Sequence, residues 1–124
     1  MYAFSGKTAT HAIVFAQLIT PDQQNHGLHT FVVPVRDPNT HMPYPNINVG
    51  DMGEKIALNG VDNGFVMFNN YFISRTCLLN KTADVTEDGN YTASVKDKSK
   101  RFGENLKKCT IFDPIWIAIL TIYI

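Results

Sequence analysis

The sequence predicts an all-β chain: an antiparallel β-barrel or sandwich followed by an irregular or partly helical C-terminal extension. Three observations carry that prediction. Residues 8–20, 28–35 and 65–73 are runs of β-branched, aromatic and aliphatic side chains, the composition that suits a pleated, half-buried surface. Pro21-Asp22, then Pro38, Pro43 and Pro45, then Asp62-Asn63-Gly64 stand between the runs, and these residues favour turns or cannot donate to a sheet ladder. No helical stripe of comparable length precedes residue 80. Short strands separated by Gly and Pro turns are the pattern of sandwiches and barrels.

In chain order, residues 8–20 give the first strand through Ile13, Val14, Phe15, Leu18 and Ile19, and Pro21-Asp22 stops it. Residues 22–27 are polar and read as a turn, so residues 28–35, with Phe31, Val32, Val33 and Val35, return as an antiparallel partner. Residues 36–45 are loop, residues 47–49 a short extended piece, and residues 54–58 a further candidate. Gly60 and Gly64 are placed in turn positions, with Gly64 opening the strand at 65–73. In that strand Phe65, Met67, Asn69 and Tyr71 share one face, and Val66, Phe68, Asn70 and Phe72 the other. After Leu79 the chain turns polar, and residues 80–101, ending in the Lys96-Asp97-Lys98-Ser99-Lys100-Arg101 cluster, read as a solvated connector. An apolar tail follows from Ile111.

Composition excludes several classes. The chain has 124 residues, enough for one ordinary domain, and 44% of them are hydrophobic, which permits a core. Eleven basic side chains balance eleven acidic ones, so net charge gives no drive toward nucleic acid or an anionic membrane. Cys77 and Cys109 are far apart and lack metal-type spacing, which fits free thiols in a reducing compartment. Residues 1–8 carry no secretory h-region, so the sequon matches at Asn80 and Asn90 read as chance. The tail at 115–124 is shorter than the ~20 residues a spanning helix needs, and its β-branched content predicts a sticky strand instead.

Motif candidates are few. Gly6-Lys7-Thr8 ends like a phosphate-binding loop, but Met1 stands where the first glycine belongs, and a strand follows where a helix is needed. His26 and His29 flank Gly27-Leu28 without the further ligands of a closed zinc site, and read as loop histidines. Asp51, Glu54, Asp62 and Asp84 form no evident carboxylate pair, and no nucleophile motif occurs. The residues alone describe a β-domain with a connector and no catalytic residue of its own.

Several stretches, in order, resemble one family closely. Gly6-Lys7-Thr8-Ala9-Thr10-His11-Ala12-Ile13-Val14, His26-Gly27-Leu28-His29-Thr30-Phe31-Val32-Val33 with Arg36-Asp37-Pro38, and Val49-Gly50-Asp51-Met52-Gly53-Glu54-Lys55 are similar to segments of the peroxisomal acyl-CoA oxidases. Asn59-Gly60-Val61-Asp62-Asn63-Gly64-Phe65 and residues 75–80 extend the match. The wording at 59–64 and the region 84–103 look most like the branched-chain, pristanoyl-type members. The resemblance covers roughly residues 6–103 and is far more specific than a single short motif.

That resemblance implies a piece of a flavin-dependent enzyme of peroxisomal fatty-acid β-oxidation. In such enzymes a base takes the α-proton of an acyl-CoA, FAD takes the β-hydride, and oxygen reoxidises the flavin to give hydrogen peroxide. The implied fold is a middle β-barrel between N- and C-terminal helical domains, in a family whose members dimerise. It assigns residues 6–79 to the middle β-domain, 80–103 to a connector toward the C-terminal helical domain, and 104–124 to a non-family tail resembling translated intron or an alternative exon. Gly6, Lys7 and Thr8 become the edge of a flavin site, and no catalytic residue falls in the chain, since the family's glutamate base belongs to the C-terminal helical region. The sequence departs from the family pattern at both ends and at one local position. Residues 1–5 replace the family's Trp-Trp-Pro-Gly-Gly-type segment, Ile73-Ser74-Arg75 replaces Ile-Pro-Arg, and a Ser-Lys-Leu type address is absent from the C-terminus. The expectation is a fragment inactive by itself. The alternative is a non-catalytic acyl-CoA- or flavin-binding module, or a structural remnant, and flavin absorbance of the purified chain separates these.

Overall fold

The computed structural model describes residues 8–57, 59–60, 63–95, 97–109 and 120–123, with residues 102, 105–109 and 120–123 described by backbone alone. The elements are β1 (His11–Ile19), β2 (Asn25–Pro34), β3 (Ile47–Asp51), β4 (Gly64–Phe68), a 3-10 turn (Arg75–Cys77), β5 (Ala83–Val85), β6 (Tyr91–Ala93), α1 (Lys98–Cys109) and β7 (Leu120–Tyr123). The predicted predominance of strands is observed, in three small sheets ordered β2-β1-β7, β3-β4 and β5-β6. Among the described residues these sheets do not join into one closed barrel. β7 pairs with β1 in parallel, Ala16 opposite Leu120 through Ile19 opposite Tyr123, so the largest sheet is mixed.

The chain divides into two compact units, Met1–Ala12 with Val33–Ile73, and Ile13–Val32 with Ser74–Ile124. In the first unit β3 and β4 pair antiparallel, from Ile47 opposite Phe68 to Asp51 opposite Gly64. Val33, Val35 and Ile47 are its buried apolar residues, whereas Met42, Met52, Ile56, Met67 and Phe72 are exposed. The amides of Val35 and Arg36 both reach the Thr10 carbonyl, at 2.8 and 3.1 Å, and the Tyr71 hydroxyl donates to the Pro34 carbonyl at 3.1 Å.

The strand predicted over 65–73 stops at Phe68. The amide of Asn69 turns to the Asn46 carbonyl at 2.9 Å, and Asn70 adopts φ 47°, a left-handed conformation that ends a ladder and that asparagine tolerates. Residues 54–57 form no strand. Before them Asp51 Oδ1 accepts from the Gly53 amide at 2.8 Å and Gly53 takes φ 74°, an Asx-type turn that diverts the backbone. Gly60 lies in a turn, as expected, and Gly64 opens β4, but as a paired strand residue opposite Asp51 and not in the turn position expected.

Gly50 sits opposite Phe65 in the β3–β4 register. A Cβ there would lie 2.6 Å from Phe65 Cε1 and 2.7 Å from Cζ, so the ring covers the bare glycine. Overpacking of this kind costs about 1–3 kcal/mol, against about 0.4–1 kcal/mol gained by restricting the unfolded chain. Gly50→Ala is therefore expected to lower stability by about 1 kcal/mol. Urea unfolding checks this: adding Phe65→Leu should recover part of the loss, and an unchanged midpoint in the single variant would mean the ring swings aside freely.

In the second unit the buried apolar side chains are Val14, Phe15, Ala16, Leu18, Phe31, Leu78, Ala83 and Val85. Val14, Phe15 and Ala16 are consecutive, so β1 is covered on both faces, which explains its continuous apolar run. Leu78 bridges to Phe31, and the Leu79 amide donates to the Thr30 carbonyl at 2.9 Å. Ser74 caps the 3-10 turn, its Oγ accepting from the Thr76 amide at 3.3 Å, with φ −65°. That is the φ proline imposes, so serine here preserves the backbone of the Ile-Pro-Arg pattern. The stretch read as a connector carries the β5–β6 hairpin, with Ala83 opposite Ala93, and α1. Thr82, Ala83, Val85 and Arg101 of this stretch are buried, while most of its other described residues are exposed, so the solvated stretch carries regular structure anchored at a few points. Among the described residues no helix is long and apolar enough to cross a membrane.

Candidate functional site

Of the residues expected at a flavin edge, Gly6 and Lys7 lie outside the described residues, and Thr8 is exposed in a turn just before β1. The carboxylates serve local backbone. Asp51 accepts from Gly53, and Asp84 accepts from the Val85 amide at 2.8 Å and from Asn80 Nδ2 at 3.4 Å. Glu54 is exposed, and Asp62 lies outside the described residues. Among the described residues no group of His, Cys, Asp and Glu side chains is arranged to hold a metal.

The side-chain cluster that does form lies in the second unit, around Tyr91. His26 and His29 are strand residues, not the loop histidines expected. At i and i+3 they would face opposite sides of a regular strand. Gly27 between them takes φ 87° and breaks the pleat, and both rings meet Tyr91. The His26 ring stacks on Tyr91 with centroids 3.8 Å apart and planes 19° apart, while His29 meets it edge-on at 5.6 Å.

The hydrogen bonds define proton positions. His29 Nδ1 donates to the Gly27 carbonyl at 2.9 Å, leaving Nε2 to accept from the Tyr91 hydroxyl at 3.1 Å. The Thr20 hydroxyl donates to the Asp22 carboxylate and so accepts from His26 Nε2 at 2.9 Å. That bond holds the Asp22 carboxyl below its ordinary range. Arg101, 2% exposed, donates to the Val95 carbonyl at 2.9 Å and the His26 carbonyl at 2.6 Å, and its guanidinium carbon lies 5.7 Å from the Tyr91 ring centroid. Lys98 Nζ donates to the Asn25 carbonyl at 2.8 Å. His26, Tyr91, Ala93, Lys98 and Arg101 line an open cleft of about 300 Å³. A second cleft of about 360 Å³ follows the hairpin and is lined largely by short polar residues, among them Asn80, Thr82, Thr92 and Ser94.

Burial drives the His29 imidazole down to about 4, with Arg101 and His26 adding repulsion. His26 is lowered in the same direction, first by desolvation and then by Lys98 and Arg101, against the pull of Asp22. Burial raises the Tyr91 phenol. A histidine that stays neutral in the fold but takes a proton when unfolded contributes stability that is complete above about pH 6.5. That stability falls away between 6.5 and about 4 as the unfolded chain gains the proton first. Allowing for solvent screening at this part-open site, the expected loss is about 2 kcal/mol. Urea midpoints from pH 7 to 4 measure it. His29→Phe, although destabilised throughout, should show a shallower slope, and identical slopes would clear His29 of the effect.

Little in the sequence marked this site. Tyr91, Lys98 and Arg101 sit in the polar stretch read as connector, and the signal there was an aromatic and an arginine interrupting an otherwise solvated run.

Similarity to known proteins bears on the whole chain. No family model matches it. It is 52% identical over 101 residues to peroxisomal acyl-coenzyme A oxidase 3 of Homo sapiens, covering 82% of this chain and 14% of that protein. It is 44% identical over 109 residues to peroxisomal acyl-coenzyme A oxidase 2 of Arabidopsis thaliana, covering 82% and 16%. Among solved structures, acyl-CoA oxidase 1 of Arabidopsis thaliana superposes with a TM-score of 0.70 at 41% identity over 82% of this chain and 16% of its own. Acyl-CoA oxidase-1 of Caenorhabditis elegans complexed with FAD and ATP gives 0.64 at 49% identity over 71% and 13%. The chain thus spans about one seventh of the length of these relatives.

Proposed function

Given that the chain belongs to the peroxisomal acyl-CoA oxidase family, we propose that it is part of the middle β-domain of a flavin-dependent acyl-CoA oxidase. The whole enzyme would convert acyl-CoA and oxygen to trans-2-enoyl-CoA and hydrogen peroxide, acting in the peroxisome. The observation that carries this reading is 52% identity over 101 residues, joined to strand architecture like that of the solved oxidases. On this reading residues 6–79 are the β-domain proper, a wall of the barrel expected in the family. The hairpin and α1 lead toward the helical domain. The substrate is a fatty acyl-CoA.

FAD would accept the substrate's β-hydride in the whole enzyme. The described residues do not by themselves fit it. Thr8 is exposed, and both clefts are open, one lined largely by short polar residues and the other by His26, Tyr91, Ala93, Lys98 and Arg101, whereas an isoalloxazine needs an enclosing, mostly apolar slot. No step of the reaction is assigned to these residues. Their part is scaffolding, with Gly6, Lys7 and Thr8 at the flavin's edge and the base outside residues 1–124. Five large apolar side chains exposed in the first unit favour a segment that is covered in the whole enzyme. The test is to restore the 124 residues to the corresponding position of a full-length branched-chain oxidase. A chimera that binds FAD and forms peroxide supports the assignment, and a folded chimera unable to bind FAD refutes it.

A further inference from the structure

We propose that the cleft walled by His26, Tyr91, Lys98 and Arg101 is a binding site for a phosphate-ester dianion. The inference rests on charge and geometry within the second unit and is independent of the oxidase reading.

Among the described residues the cleft's lining holds two fixed cations and an imidazole and no carboxylate, the nearest acidic influence on His26 being Asp22 behind Thr20. Both cations are satisfied only by peptide carbonyls: Lys98 by Asn25, and Arg101 by Val95 and His26. Among the described residues neither cation makes an ion pair with a carboxylate. Arg101 is 2% exposed, and its Nε has no hydrogen-bond partner among the described residues. A buried guanidinium without a counter-charge is costly, and it projects a positive potential into the adjoining cleft.

The helix adds to this. α1 begins with Lys98, Lys100 and Arg101 in its opening residues and has no acidic residue in its first turn, the reverse of what the helix dipole favours. Asp97 just before the helix accepts from the amides of Ser99 at 2.9 Å and Lys100 at 3.4 Å. The helix-end amides are thus already occupied, which leaves the side chains as the anion's donors. The Lys98 ammonium has three donors and gives one to Asn25. His26 commits Nε2 to Thr20, so a proton drawn onto Nδ1 would add positive charge and a further donor to a ring that lines the cleft. Asp97 compensates the helix end, but not the two cations that line the cleft, and local rules left unmet are expected at functional positions; a doubly charged anion would meet both cations at once. The Tyr91–His26 stack beside it offers a flat surface for a ring carried by the phosphate.

The groups around His26 are Asp22 and Thr20 from the β1–β2 turn, His29 on its own strand, Tyr91 from β6, and Lys98 and Arg101 from α1. A bound dianion offsets the last two, so the His26 imidazole titrates higher with the anion than without it. The experiment follows the His26 ring and Arg101 Nε signals by NMR in the full chain. Inorganic phosphate, AMP and acetate are added separately, with sodium chloride holding ionic strength constant. Saturable shifts with phosphate, and a raised His26 pKa, are expected. Tighter binding of AMP identifies a nucleotide-type source, and equal binding identifies free phosphate. Lys98→Ala should weaken phosphate about tenfold, the loss of one charge-assisted hydrogen bond, while Lys98→Arg retains it. Lys98→Gln serves if the alanine variant does not fold. Equal responses to phosphate, acetate and chloride would overturn the proposal, as would unchanged affinity in folded Lys98→Ala or Lys98→Gln.

Discussion

The purified chain, given FAD and a long-chain or 2-methyl-branched acyl-CoA, is expected to form no peroxide above a heat-killed control and to remain colourless. Removing an α-proton and a β-hydride requires a base and a flavin held within tight distances of adjacent carbons. Among the described carboxylates, Asp22, Asp37, Asp51, Asp84 and Asp97 accept hydrogen bonds from residues close in sequence, and Thr8 is exposed. A loss of positioned catalysis on that scale is on the order of a million-fold or more, well beyond assay noise. Peroxide formation that depends on added FAD would show that residues of this chain carry the reaction. Yellow protein without turnover would favour the flavin-binding module instead.

Arg101→Met is expected to cost about 3 kcal/mol, through two lost charge-assisted hydrogen bonds and the buried carbonyls they leave behind. The guanidinium ties the Val95 carbonyl ahead of α1 to the His26 carbonyl on β2 and lies over Tyr91, so one side chain joins three elements of the second unit. Methionine keeps much of the length and the apolar stem but none of the donors. Urea unfolding of this variant should show a lower midpoint, and tyrosine fluorescence should report loosening around Tyr91. Part of the cost is returned because a buried, unbalanced charge disappears. A midpoint equal to that of the parent would mean that relief cancels the lost bonds completely.

The strands of the second unit were legible because burial on both faces leaves an unmistakable composition: Val14, Phe15 and Ala16 on β1, and Phe31 on β2. Gly64 was legible as the opening of β4, although it pairs within the strand opposite Asp51 and takes no left-handed conformation. Strand ends were harder. Nothing in the alternation at 65–73 announces that the amide of Asn69 leaves for Asn46, since that partner is distant in sequence. For a related reason the buried points within the stretch at 80–101 were not legible. Its charged side chains look solvated, yet Arg101 is buried by donating to carbonyls at 95 and 26, and only a folded chain brings those together.

The sequence by itself determined the family, through ordered matches from residue 6 to 103, and the predominance of strands. Both are written locally, in motif order and in the period of apolar residues. Tertiary structure alone decided that β7 runs parallel to β1, because register and direction depend on partners that local composition does not encode. It alone decided that His26 and His29 share Tyr91, because a left-handed Gly27 re-aims one ring and an aromatic 62 residues from His29 receives both. It alone gathered Lys98 and Arg101 with His26 and Tyr91 in a cleft that no carboxylate lines among the described residues. Charges that balance along the sequence can be segregated in space, and unbalanced charge in a part-buried cleft is what gives a surface a ligand preference.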